Sequence, residues 1–177
     1  MKTFVLIFVS FFYFSCSLTS SKKTEKVLIN IKSISKDLWE VSYTLPKLVK
    51  SVSFFRQTNQ FREKNWQVIG KSLRIQKVAN KEVLTSVDNK PFRNFKIQFK
   101  SYFKHTPKDY EFFQPFSDGG IIFYTGHLYL ENKWSSEITI MAKNDKNIVI
   151  MGNVYKSKAS WLDHRNKGTY ILSLIHI

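Results

Sequence analysis

The sequence predicts an all-β fold, an antiparallel β-sandwich-like domain that follows an N-terminal signal peptide. Three observations point there. Short stretches of alternating apolar and polar residues succeed one another along the chain, separated by turn-forming residues. No stretch repeats apolar residues at i, i+3, i+4 and i+7 over three turns, so helix is minimal and the βαβ rhythm of a parallel sheet is missing. Aromatic residues make up 16% of the chain, 16 of them Phe, which suits pleated, half-buried surfaces.

Residues 27–34 and 38–45 read as a first hairpin, with Trp39, Val41, Tyr43 and Leu45 sharing a face and Pro46 ending it. Residues 49–55 form a third strand, and residues 65–70 a short one closing on Gly70. Residues 72–78 and 82–87 form a second hairpin around Ala79 to Lys81, and the next turn spans Asp88 to Pro91. Phe95, Ile97 and Phe99 alternate with Lys96, Gln98 and Lys100, which marks a half-buried strand near a sheet edge. Residues 137–142 and 147–155 flank Lys143 to Lys146 as a third hairpin, and a last strand begins between Trp161 and Tyr170.

The densest stretch is residues 108–130, where aromatics surround the turn Ser117-Asp118-Gly119-Gly120. Paired glycines accept φ > 0, so the backbone can reverse sharply there. Ile121, Ile122, Phe123 and Tyr124 follow, apolar on both faces, and read as a buried central strand at the middle of the fold.

The two ends read differently from the domain. Met1-Lys2-Thr3 precede an uncharged apolar run, residues 4–14, too short to span a bilayer and typical of a secretory signal. Residues 1–16 are therefore assigned to a signal peptide, 17–26 to a polar linker, 27–171 to the β-domain and 172–177 to a non-native tail. Two processing readings compete. Cys16, the chain's 1 Cys, becomes the lipid-bearing first residue of a bacterial lipoprotein, although Tyr13-Phe14-Ser15 departs from the usual lipobox. Otherwise, signal peptidase cuts near Ser17 and releases a soluble protein. Either way the expected destination is the periplasm or, as a lipoprotein, the outer membrane. Leu172-Ser173-Leu174-Ile175-His176-Ile177 resembles the translation of a transposase end sequence used in library preparation, which would end the native frame after Ile171. A natural apolar C-terminal strand is the other reading.

The formal net charge is +15. Such a charge suits phosphate-rich partners, but the basic residues are scattered and the chain reads as exported, so no nucleic acid is expected. A solvated basic surface, or one facing anionic lipid headgroups, accounts for them.

Trp39-x-Val41-x-Tyr43-x-Leu45-Pro46, Asp109-Tyr110, Pro115-Phe116-Ser117-Asp118-Gly119-Gly120 and Tyr124-Thr125-Gly126-His127 together resemble the N-terminal β-domain of exported bacterial proteins similar to glycyl aminopeptidase-type (gluzincin) metallopeptidases. The resemblance covers roughly residues 37–171. It implies an accessory domain that precedes a thermolysin-like zinc domain, with zinc bound downstream of this chain. That chemistry needs H-E-x-x-H, two His one helical turn apart. His105, His127, His164 and His176 include no such pair.

The expected function is therefore that of a non-catalytic domain of an envelope-associated metallopeptidase-like protein, cut short here. Its partners would be the downstream catalytic domain or an envelope protein, and the membrane through a lipid anchor on Cys16. The alternative is a complete β-domain lipoprotein that binds a ligand or protein at the cell envelope. Asp118, Gly119, Gly120, Tyr124 and His127 form the candidate ligand-binding cluster: Asp118 can accept hydrogen bonds from a ligand, and His127 is placed to titrate near neutral pH. A purely structural use remains open, with Asp118 bonding its own turn and His127 pairing with a neighbouring strand. His105, Asp109, Asp163 and His164 match no metal-ligand spacing. No catalytic residue is assigned, since G-x-S-x-G is absent and Gly119-Gly120 lacks the Lys of a phosphate loop. Trp134 and Trp161 are candidates for stacking on sugars or peptides.

Overall fold

Alternation becomes pairing first between β1 (Lys26–Ser33) and β2 (Leu38–Val49), which run antiparallel with Ile31 opposite Val41 and Ile29 opposite Tyr43. The computed structural model describes residues 25–35, 37–56, 60–100, 113–115, 121–131, 134–142, 147–150, 153–163 and 170–174. Cys16 and the expected signal peptide lie outside these residues.

After the first hairpin come β3 (Ser51–Ser53), a single helical turn and a half α1 (Phe61–Asn65), β4 (Trp66–Val68), β5 (Leu73–Val78), β6 (Lys81–Ser86) and β7 (Phe92–Lys100). The second half adds β8 (Phe113–Pro115), β9 (Ile121–Tyr124), a 3-10 turn (Thr125–His127), β10 (Ser135–Met141), β11 (Asn147–Ile150), β12 (Asn153–Lys156), β13 (Lys158–Asp163) and β14 (Tyr170–Leu174). The fold is all-β, as the alternation predicts. β14 includes Leu172 to Leu174, the first residues of the tail expected to be non-native, and it pairs with β9 and β11.

The described strands form three sheets. The largest has six strands in the order β13-β10-β1-β2-β7-β4; a second runs β12-β11-β14-β9-β8 and a third β3-β6-β5. Parity decides what each strand buries. On the large sheet Ala159, Ile140, Ile31, Val41 and Ile97 lie side by side across five strands and are all buried. A second row brings Trp39 beside Phe99 and Phe99 beside Trp66, the last two stacked with ring centroids 5.2 Å apart. Burying one large apolar side chain contributes roughly 1.5–3 kcal/mol, so these rows are a substantial part of the driving force. The same parity turns Lys32, Lys96 and Lys100 outward. The core continues into the second sheet, where Trp39 lies 6.5 Å from Phe123, and into the third, where Val52, Leu84 and Ile75 form one buried row.

Three expectations are corrected. Residues 137–142 and 147–155 do not form a hairpin: β10 joins the large sheet, while β11 and β12 pair with each other in the second. The reason is complementarity. Ile138 and Ile140 match Ile29 and Ile31 in register, and β10 takes that place as a parallel neighbour of β1, the one parallel pair among the described strands. Second, Pro46 does not end its strand: β2 runs on to Val49, its ladder with β7 shifting register between Thr44 and Val49, around Pro46, which has no N–H to donate, and the third strand expected over residues 49–55 begins only at Ser51. β3 then enters a different sheet. Third, β9 is an interior strand of the second sheet, with Phe123 buried and Ile122 and Tyr124 half-buried; the middle of the fold is β1, β2 and β7.

Candidate functional site

Among the described residues, the strongest concentration of buried polar groups lies where the 3-10 turn, α1 and β6 meet. Arg62 is fully buried and Glu82 is 3% exposed. Glu82 arrives there by parity, on the same face of β6 as Leu84. Its Oε2 accepts from Arg62 Nη1 at 2.5 Å, and its Oε1 accepts the backbone N–H groups of Arg62 at 2.8 Å and Glu63 at 3.3 Å. The carboxylate thus pairs a buried charge and also satisfies first-turn donors of α1 that a short helix leaves without partners.

The guanidinium reaches in two further directions. Nη1 donates to the Arg56 carbonyl at 2.8 Å and Nη2 to the His127 carbonyl at 2.6 Å. Its plane lies 4.6 Å from the Phe54 ring centroid and 5.2 Å from that of Trp66, where the ring faces favour a cation. Burial pulls the Arg62 pKa down, and Glu82 opposes that shift by charge and hydrogen bond. One side chain therefore fixes α1, β6, the segment after β3 and the 3-10 turn relative to one another.

Two of the residues singled out in sequence meet here. Tyr124 ends β9 and His127 ends the 3-10 turn, with rings 5.6 Å apart in an edge-to-face arrangement. Between them, a Cβ on Gly126 would overlap the Tyr124 ring, so the close approach requires glycine. Arg56 also lies over Tyr124, its guanidinium 4.7 Å from the ring centroid and its Nη2 donating to the hydroxyl at 3.2 Å. Beyond the turn, Tyr43 donates to the Leu128 carbonyl at 3.0 Å, and Tyr129 donates to Asp163 at 2.8 Å beside Thr125. Burial raises both phenol pKa values well above the usual range.

His127 does not titrate near neutral pH. Burial, then the positive charges of Arg62 and Arg56, pull its pKa down to about 3. The imidazole is neutral at physiological pH and a weak base, whereas a general base works best with a pKa near the operating pH. Asp118, Gly119 and Gly120 lie outside the described residues, as do His105, Asp109 and His164. Asp163 is engaged by Tyr129. Trp134 is half-buried with Nε1 donating to Glu25 at 2.9 Å, and Trp161 is half-buried and packs against the core. Sequence reading missed Arg56, Arg62 and Glu82. The available signal was a Glu on the apolar parity of β6, in line with Leu84.

Among the described residues, no group of three or more His, Cys, Asp or Glu could hold a metal ion. The surroundings of His127 do not fit zinc either, since two guanidinium groups crowd it with positive charge. A shallow depression of about 300 Å³ lined by Lys32, Ser33, Ile34, Met141 and Ala142 lies at the far end of β1 and β10. The cluster's chemistry is that of a clamp that sets backbone geometry.

No protein-family model matches the chain, and no curated protein does. Solved structures do. An aminopeptidase N family protein from Idiomarina loihiensis superposes with a TM-score of 0.51 at 10% identity, over 82% of this chain and 29% of that one. A two-domain M1 zinc metallopeptidase, an E323A mutant bound to L-tryptophan, aligns with a TM-score of 0.39 at 7% identity, over 85% of this chain and 42% of that one. The fold is thus one found within an aminopeptidase N family protein, and this chain spans about three-tenths of that protein's length. At the level of fold, the first of these structures agrees with the sequence resemblance to a β-domain of peptidase proteins.

Proposed function

We propose that this chain is a non-catalytic β-domain of an exported, envelope-associated metallopeptidase-like protein, packing against a zinc-bearing catalytic domain encoded beyond Ile171. The observation that carries the reading is the coverage: 82% of this chain accounts for only 29% of the aminopeptidase N family protein it resembles. The geometry supports it. The clamp around Arg62 holds Tyr124 and the 3-10 turn in fixed positions, as a domain forming one wall of a substrate cleft requires, while His127 is electronically unsuited to catalysis. Zinc would be held by H-E-x-x-H and a distal Glu in the downstream domain.

The test is to sequence the native gene past the codon for Ile171 and assay its product. An open frame running into H-E-x-x-H, with aminopeptidase activity abolished by a chelator, is expected. A stop codon near Ile171, or genomic DNA that encodes Leu172 to Ile177, would overturn the reading in favour of an envelope-binding β-domain lipoprotein.

A further inference from the structure

Three connections meet at one end of the domain, and each exposes an aliphatic side chain. Leu48 is 63% exposed, Val87 55% and Ile69 40%. Backbone contacts bring the connections together: Ser86 N–H donates to the Lys50 carbonyl at 3.1 Å, Val87 N–H to the Ser72 carbonyl at 2.8 Å, and Val49 faces Phe92. Each tip is set outward by local structure. Leu48 lies in the register shift of β2 around Pro46, which turns Val49 inward and Leu48 out. Val87 precedes a tight turn with Asn89 at φ 58°, and Ile69 precedes Gly70 at φ 110°.

Basic residues surround these tips. Lys50, Lys71, Lys90 and Arg93 are all exposed, and Arg93 Nε donates to the Leu45 carbonyl at 2.7 Å, tying it to the segment that carries Leu48. The acidic residue of the three connections, Asp88, is bonded to Ser86 Oγ at 2.7 Å and lies 3.5 Å from Lys90 Nζ. That pairing offsets one charge and leaves the end strongly positive, on a chain of net charge +15.

We propose that this end of the domain docks onto an anionic lipid surface, with Leu48, Ile69 and Val87 entering the headgroup region and the basic residues around them binding lipid phosphates. The two features are complementary to such a surface together and to few others. Aliphatic tips gain by leaving water for the acyl boundary, and each nearby Lys or Arg strengthens binding to an anionic leaflet by roughly fivefold. Nucleic acid would use the charge but not the tips, since single strands are held by aromatic stacking and duplexes by polar contacts to phosphate and base edges. The inference rests on this surface and not on the peptidase reading.

The test is hydrogen-exchange mass spectrometry and co-sedimentation of the whole chain with vesicles of phosphatidylcholine alone or mixed with phosphatidylglycerol. Every variant shares the apolar stretch at residues 4–14, so the neutral vesicles report its contribution. Slowed exchange over residues 46–50, 69–72 and 87–91 is expected with the anionic vesicles, weakening as salt is raised. The double substitution Leu48→Ser, Val87→Ser should weaken anionic-vesicle binding about tenfold and leave its salt dependence intact. The triple substitution Lys50→Gln, Lys71→Gln, Lys90→Gln should remove most of the preference for anionic over neutral vesicles. All five positions are exposed, so an unchanged thermal midpoint is expected and is to be checked. Protection confined to other segments, parental binding by the Leu48→Ser, Val87→Ser chain, or stronger protection of the same segments by oligothymidylate would overturn the proposal.

Discussion

In the row Ala159, Ile140, Ile31, Val41 and Ile97, every side chain reaches the core because of its parity within a strand, and each is an aliphatic residue meeting others of its kind. In the knot around Arg62, the partners come from four separate places: Arg56 after β3, Glu82 on β6, His127 on the 3-10 turn and the rings of Phe54 and Trp66. Both regions are buried. The first is redundant and graded, since shortening one side chain removes some contacts and leaves the rest. The second is all-or-none, because a buried charge without its partner costs far more than the pair contributes together.

Breaking the knot should give the largest effect. Glu82→Ala leaves the Arg62 charge buried and uncompensated and is expected to cost about 3–5 kcal/mol in chemical denaturation. The double change Arg62→Met, Glu82→Leu sharpens the comparison. A simple buried pair can be replaced by apolar residues at little cost. Here the pair also satisfies the Arg56 and His127 carbonyls and the backbone N–H groups of Arg62 and Glu63, so the double variant should remain about 2 kcal/mol or more below the parent. Parental stability would show that those backbone bonds matter little.

The aliphatic row should respond in proportion. Ile31→Val removes one methylene and is expected to cost about 1 kcal/mol, measured the same way; a loss as large as that of Glu82→Ala would erase the distinction between the regions.

A pH effect tests the electrostatics of the knot. The native His127 pKa is about 3 against an ordinary value of 6.5. Between those values the unfolded chain binds a proton that the native state does not, so stability rises with pH across the window and falls as pH drops from 6.5 toward 3. An NMR titration of the imbedded imidazole should show no inflection near 6.5, and Arg56→Gln should move its inflection upward by removing one of the charges that depress it. The smallest effect is expected at the surface: Lys26→Gln, which removes the exposed pair with Glu137, should change stability by less than about 1 kcal/mol.

Much of the strand pattern was legible because it is local. Trp39, Val41, Tyr43 and Leu45 announce their shared face by spacing alone, and Phe95, Ile97 and Phe99 do the same. Of the candidate cluster, the nearness of Tyr124 and His127 followed from their short separation in the chain, which a tight 3-10 turn closes. The chemistry of His127 did not, because it is set first by burial in the folded core and then by the charges of Arg62 and Arg56, more than sixty residues away.

By itself, then, the sequence determined the all-β class, the faces of most strands and the first two hairpins, since a period of two residues needs only neighbouring side chains to express it. The tertiary structure alone decided that β10 lies parallel beside β1, that β11 leaves for another sheet and that Arg62 is buried against Glu82. Each of these depends on contacts between segments far apart in the chain, where the choice is made by which faces fit and which charges find partners once the sheets come together.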